Sequence, residues 1–309
     1  MRNAYKTDIK PSMVPRRVMA LDGGAWLRCM PAISPSGRYM GTKQIVRSYA
    51  GRVTYLITLF DKQDASLAFV LDGLEITRIR TAATTVAALQ QLGGPKEMRV
   101  AVLGSGLEAR THMEALAKTR PVSSVTVFSP SPANREKFAG NLRDRFGITA
   151  RAADSAEAAV DGATHVIAAA RSRDESPILY AKWLKRGAVV ASIGSTIPSQ
   201  REVDFSVIDQ ASIIVADDPK EVADETGDMI AAKAAGVAFE GKLYSLQKLV
   251  RCEIPDHLLE QSSLTLFKSV GTALQDLVFA ELVVERALAS GLGKKLPVSL
   301  LEKTSLRNS

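Results

Sequence analysis

MRVAVLGSGLEARTHMEAL, residues 98–116, decides the fold. A short β-forming apolar run enters Gly104-Ser105-Gly106-Leu107-Glu108-Ala109, and a helix-forming stretch leaves it. That is the G-x-G-x-x-A form of the dinucleotide fingerprint: Gly104 allows the tight turn, Gly106 lets the backbone approach a pyrophosphate, and Ala109 permits close helix–strand packing. The pyrophosphate would rest on the helix N-terminus, where free N–H groups and the dipole favour negative charge. Glu108 must then point away from the phosphates.

Downstream, apolar strands alternate with helical stretches: SSVTVF at 123–128, ATHVIAAA at 163–170, AVVASIG at 188–194 and SIIVAD at 212–217. This alternation predicts an α/β fold with a doubly wound, Rossmann-type parallel sheet. An NAD site usually carries an acid at the end of the second strand. Here SPSPANREK follows, with no acid before Glu136, and Ser129, Ser131 and Arg135 suit a 2′-phosphate. NADP(H) is therefore favoured over NAD(H).

Upstream, residues 14–80 read as strands. VTYLITLFD (53–61) and ASLAFVLDGLEITRIR (65–80) are β-rich, with a hairpin signal at Asp72-Gly73 and another turn at Asp22-Gly23-Gly24, which predicts an antiparallel meander. TAATTVAALQQLGG (81–94) reads as a helix, and GGPKE (93–97) as a boundary. SSLTLFKSVGTALQDLVFAELVVERALAS (262–290) reads as one long amphipathic helical region.

At 309 residues two domains are expected. The first residues lack the apolar core of a signal peptide, and no apolar run approaches a membrane span, so the expectation is a cytoplasmic protein without a membrane partner. The net charge of +7 comes from scattered cations, with no basic run interleaved with aromatics; it fits small anionic ligands better than nucleic acid. Cys29 and Cys252 fit neither a disulfide framework nor a metal cluster. His112, His165 and His257 are dispersed without metal spacing, and His112 and His165 read as structural.

VVASIGSTIPSQREVD (189–204) is a buried strand opening into a polar loop, a place for chemistry, yet its first acid, Glu202, comes eight residues after Gly194. In the meander Lys43 follows Gly-Thr, Arg80 stands where sheet meets helix, and Arg16 lies near the start. Such cations can clamp a carboxylate.

With these pieces assembled the chain resembles the ornithine cyclodeaminase/μ-crystallin family: MPAISPSGRYMGTKQIV, TRIRTAATTVAA, VAVLGSGLEARTHMEAL, SIGSTIPSQREVD, VADDPKEVADETGD and LTLFKSVGTALQDLVFAELV carry the likeness over nearly the whole length. The resemblance implies a nucleotide domain (96–258) inserted in a smaller α+β substrate-binding and dimerisation domain, made of residues 1–95 and C-terminal helices at 259–309, in a homodimer. It implies NAD(H) or NADP(H) acting on small α-amino or α-imino acids. Lys43 would hold the substrate carboxylate and act at the reacting nitrogen. Arg80 and Arg16 would join the clamp, Thr81 would touch cofactor or substrate, and Gly194, Ser195 and Thr196 would shape the pocket. Two departures stand out. Most of the family's strand and helix before the upstream arginine is missing, so the start is truncated or the domain reduced. Cyclodeaminases place an Asp just after the loop glycine, where this chain has Ser195 and Thr196; hydroxyls are poor bases near neutral pH.

The missing acid favours reduction of an imino acid, such as pyrroline- or piperideine-2-carboxylate or a linear one, which needs one proton at nitrogen. Ornithine cyclodeamination and alanine-type dehydrogenation remain alternatives, as does a non-catalytic nucleotide-binding role.

Overall fold

The computed structural model describes residues 1–35, 37–95, 97–298 and 300. Two compact units form, one from Met1–Thr7 and Arg78–Thr272, the other from Asp8–Thr77 and the chain from Ala273 onward.

The second unit holds a five-stranded antiparallel meander in sequential order: β1 (Val18–Asp22), β2 (Ala25–Ile33), β3 (Tyr39–Arg47), β4 (Val53–Asp61) and β5 (Leu67–Asp72). Side chains alternate with period two. Met30, Ala32, Ile45, Ile57 and Leu59 face a core closed by Ala273, Leu277, Ala280 and Val284 of the C-terminal helix, while Leu27, Ile33, Val46, Leu56 and Val70 of the opposite face are exposed.

The first unit holds a parallel sheet: β6 (Met98–Leu103), β7 (Val122–Phe128), β8 (Thr149–Ala152), β9 (His165–Ala168), β10 (Ala188–Ser192), β11 (Ile213–Ala216), β12 (Leu243–Ser245) and β13 (Leu264–Lys268), in the order β12-β11-β13-β10-β9-β6-β7-β8 among the described residues. The doubly wound expectation is met. Strands β9, β10, β11 and β13 are buried along their whole length, as central parallel strands covered on both faces must be. The helices are α1 (Arg2–Lys6), α2 (Leu74–Leu89), α3 (Leu107–Thr119), α4 (Pro132–Phe146), α5 (Ala156–Val160), α6 (Phe205–Gln210), α7 (Pro219–Glu225), α8 (Gly227–Ala234), α9 (Leu246–Val250), α10 (Asp256–Glu260) and α11 (Ala273–Ala289). None of the helices among the described residues is long and apolar enough to cross a membrane.

Two local expectations are corrected. Asp72-Gly73 is not a hairpin turn but the entry to α2: Asp72 Oδ1 accepts from Leu74 N at 2.8 Å, and Thr77 Oγ1 donates to the Gly73 carbonyl at 2.6 Å. Residues 74–80, rich in β-branched side chains, are thereby drawn into the helix, where Ile76, Arg80 and Thr84 bury at four-residue spacing. Arg80 sits inside α2 and not at its start. Residues 264–268, expected to be helical, form β13 between β10 and β11. The helical period belongs to residues 273–289 alone, and Gly271, at φ +77°, helps interrupt it.

Candidate functional site

Gly104 takes φ +122°, and a Cβ there would lie 2.8 Å from the Ala169 carbonyl oxygen, so only glycine fits. Gly106 is the N-cap of α3 with no side-chain cap, and a Cβ on it would meet nothing within 4 Å. Ala109 is fully buried, Leu107 is exposed, and Glu108 keeps its half-exposed carboxylate 3.7 Å from His112 Nδ1. An open, uncapped helix terminus preceded by an obligatory glycine fits an anionic dinucleotide.

At the end of β7, Ser105 Oγ donates to Ser129 Oγ at 2.9 Å, and Ser131 caps α4 by accepting from Asn134 N at 3.3 Å. Arg135 donates to the Ser129 carbonyl at 3.2 Å and to Asp154 Oδ1 at 2.5 Å. Asp154, just past the edge strand β8, is an acid that reading onward from β7 missed; the parallel pairing of β7 and β8 brings it in.

The loop after β10 is more tightly built than its sequence suggests. Ser195 Oγ donates to the Gln200 carbonyl at 2.6 Å, and Thr196 N donates to Gln200 Oε1 at 3.0 Å. Glu202 folds back beneath it, wholly buried. Its Oε2 accepts from Ser192 Oγ (2.6 Å), Ile193 N (2.8 Å) and Gly194 N (2.9 Å), and its Oε1 accepts from Ala170 N (2.9 Å). Burial pushes the Glu202 carboxyl up to about 7, with Lys268 and the Ser192 hydroxyl pulling the other way. Lys268, at the end of β13, donates to Ser192 Oγ at 2.9 Å and the Ser195 carbonyl at 3.1 Å, and pairs with Asp228 Oδ2 at 2.8 Å. The eight-residue spacing hid this contact, because a loop that doubles back gives no periodic signal.

The next residues hold Arg80. Asp217 accepts from Ser269 Oγ (2.7 Å), Val270 N (3.0 Å) and Gly271 N (2.8 Å). A Cβ on Gly271 would lie 2.5 Å from Arg80 Nη1, so the buried guanidinium lies directly against that backbone. Thr81 follows it, also buried. His112 is buried, with Nδ1–H donating to the Glu108 carbonyl at 2.7 Å and Nε2 lying 3.0 Å from Thr85 Oγ1. Burial pulls His112 and His165 down to about 4, which keeps both neutral at ordinary pH.

In the antiparallel unit Lys43 lies at the centre of β3, fully buried, with Nζ 2.9 Å from Asp276 Oδ1 in the first turn of α11 and 5.5 Å from the Tyr55 ring centroid. Gly41 makes this possible: a Cβ there would strike the Thr58 carbonyl at 2.1 Å and Leu277 Cδ1 at 3.1 Å, so a side chain would push α11 off the sheet. Asp276 escaped the sequence reading because it lies more than two hundred residues from its partner. Arg16, ahead of β1, is exposed.

The family model described as ornithine cyclodeaminase/mu-crystallin matches residues 5–291. The chain is 32% identical to the ketimine reductase mu-crystallin of Mus musculus, over 84% of this chain and 80% of that protein. It is 25% identical to a Delta(1)-pyrroline-2-carboxylate reductase of Bacillus cereus, over 86% and 83%. The solved Thermococcus litoralis Delta(1)-pyrroline-2-carboxylate reductase in complex with NADH and L-proline superposes with a TM-score of 0.82 at 25% identity, covering 92% of this chain and 89% of that one.

Proposed function

The chain belongs to the ornithine cyclodeaminase/mu-crystallin family, and we propose that it catalyses NAD(P)H-dependent reduction of a small α-imino acid, a cyclic ketimine such as pyrroline- or piperideine-2-carboxylate, to the L-amino acid. The observation that carries this reading is the loop after β10. Ser195 and Thr196 stand where a cyclodeaminase places its proton-handling carboxylate, and the loop's own acid, Glu202, is turned into the interior with both oxygens occupied.

Gly104 to Ala109 would hold the pyrophosphate, with Ser129, Ser131 and Arg135 at the adenosine ribose and Thr81 contributing to the cofactor site. NADP(H) is the favoured form, supported by the serine hydroxyls and the guanidinium and by the lack of an acid on β7. The reduced nicotinamide, when bound, supplies the hydride. Reduction of a C=N bond needs one further proton, at nitrogen, and Lys43 is the group assigned to it. An ammonium already matched by Asp276 has less charge to spare for a carboxylate. The carboxylate therefore falls to Arg80, which a rigid backbone holds, and to Arg16, while Lys43 serves the nitrogen. Gly194, Ser195 and Thr196 shape the substrate pocket.

We also assign a homodimer. The exposed sheet face carrying Leu27, Ile33, Val46, Leu56 and Val70, interleaved with Thr42, Gln44, Thr54 and Thr58, offers the mixed apolar and polar surface that a subunit interface can use.

A panel of cyclic and linear imino acids, followed by oxidation of NADPH and of NADH, tests the reading. Turnover of a cyclic imino acid is expected. Ammonia release with proline formation from ornithine, or dinucleotide binding without turnover of any imino acid, would overturn it.

A further inference from the structure

The buried charge cluster of Glu202, Lys268 and Asp228 takes no part in the roles assigned above. It joins the carboxyl ends of three neighbouring strands. Ala170 lies just past β9, Ser192 ends β10 and Lys268 ends β13, while Asp228 reaches in from α8 and accepts from Glu202 N at 2.7 Å and Val203 N at 3.1 Å. The Lys268 ammonium donates to Ser192 and Ser195 and is ion-paired with Asp228.

The cluster touches both halves of the expected ligand site within this unit. On one side Glu202 Oε1 holds Ala170 N, and residues 169–170 form the surface on which the fingerprint turn sits. The missing Cβ of Gly104 would lie 2.8 Å from Ala169 O and 3.0 Å from Ala170 Cβ. On the other side Glu202 Oε2 holds Gly194 N, and a Cβ on Gly194 would lie 2.4 Å from Glu202 Oε1. One carboxylate therefore sets the spacing between the glycine turn and the Gly194–Thr196 loop.

We propose that Glu202 is a positioning residue for dinucleotide binding, holding the fingerprint turn and the loop after β10 at a fixed separation in its ionised form and releasing them when it takes up a proton. This rests on the dinucleotide reading of the fingerprint.

The direction follows from donors and acceptors. All four partners of the carboxylate donate to it, so the full set of bonds belongs to the ionised form; a proton on either oxygen takes an acceptor position and displaces at least one of them. The charged groups facing Glu202 are Lys268 from β13 and Asp228 from α8, two carboxylates against one ammonium in a fully buried site. Burial brings the protonated form within reach near neutral pH, against the pull of Lys268 and the Ser192 hydroxyl, and the Asp228 carboxylate adds to it. A ligand that needs the ordered loop binds the ionised form and expels the proton.

The experiment uses the full chain and NADH, followed by fluorescence titration; NADH is chosen because it lacks the 2′-phosphate, which itself titrates near pH 6. The dissociation constant of the wild type is expected to fall about tenfold between about pH 5.5 and 8.5, with its inflection near 7. Glu202→Gln should bind about tenfold more weakly at the alkaline end and show no inflection. A flat wild-type curve, or a variant with wild-type affinity and the same inflection, overturns the proposal. Should Glu202→Gln not fold, Ser192→Ala carries the test: it removes a bond that favours the ionised carboxylate, so the inflection must move to higher pH, and an unmoved inflection overturns the proposal. A wild type that binds neither NADH nor NADPH overturns the dinucleotide reading itself, and the proposal with it.

Discussion

Lys43 and Asp276 form a sealed ion pair, 2.9 Å from nitrogen to oxygen, between the middle strand of the antiparallel sheet and the first turn of the last helix. Removing one partner takes the counter-charge from the other in a buried site, and breaking such a pair typically costs about 3–5 kcal/mol. Lys43→Ala and Asp276→Ala are each expected to lower the denaturation midpoint strongly. Lys43→Met combined with Asp276→Leu should recover most of that stability. Reductase turnover should stay down by about a hundredfold or more in the double variant, as expected for loss of a positioned proton donor. Urea denaturation beside imine-dependent NADPH oxidation checks both, and a stable double variant with wild-type turnover would remove Lys43 from the chemistry.

The two fingerprint glycines should separate stability from binding. Gly104→Ala forces a left-handed backbone and a clash with Ala169, costing about 1–3 kcal/mol as well as dinucleotide affinity. Gly106→Ala meets open space in the protein alone, so its melting temperature should be unchanged while dinucleotide affinity falls. Differential scanning fluorimetry with and without NADPH distinguishes the two.

Arg135→Ala should weaken NADPH by about tenfold and NADH far less, since a single charge-assisted contact to phosphate is at stake. Asp154→Ala should act in the opposite direction on NADPH, freeing the guanidinium from its present partner. Equal effects on both dinucleotides would argue that Arg135 serves only α4.

Leu56→Glu, in the middle of the exposed sheet face, is expected to shift a dimer to monomer in light scattering with the fold retained by circular dichroism. An unchanged mass would show that subunits meet elsewhere or not at all.

Stability against pH should show two opposed contributions. His112 and His165 are held down to about 4, so between their ordinary value near 6.5 and 4 the unfolded chain binds protons that the folded one does not, and stability falls on acidification. Glu202 is held up to about 7, so over the range from its ordinary value to 7 the folded chain keeps a proton that the unfolded one has lost; its contribution is present at low pH and is lost as pH rises through 7. Glu202→Gln should therefore lose stability more steeply than the wild type on acidification below about pH 6.5. Parallel urea-midpoint curves would contradict this.

The order of elements was legible wherever one local signal ruled. The fingerprint announced β6 and α3, and short, largely apolar runs announced β9, β10 and β11. Reading failed where tertiary context overrode propensity. Residues 74–80 looked extended until Asp72 capped them into α2, and Leu264–Lys268 looked like the start of a helix because an amphipathic stretch follows at once. Of the site, residues within motifs were visible. Asp276, Asp154 and the inward turn of Glu202 were not, since each depends on chain segments that meet only in the folded state.

The last helix also imposes an order of events during synthesis. The inner face of the meander, Met30, Ile45, Ile57 and Leu59, leaves the ribosome early, yet its cover, Leu277 to Val284, is made only after the whole nucleotide unit. The first strands translated are thus the last to be closed over. Until α11 arrives, a nascent chain displays that greasy inner face and a Lys43 that has yet to meet Asp276, an interval in which holdase chaperones have their natural target.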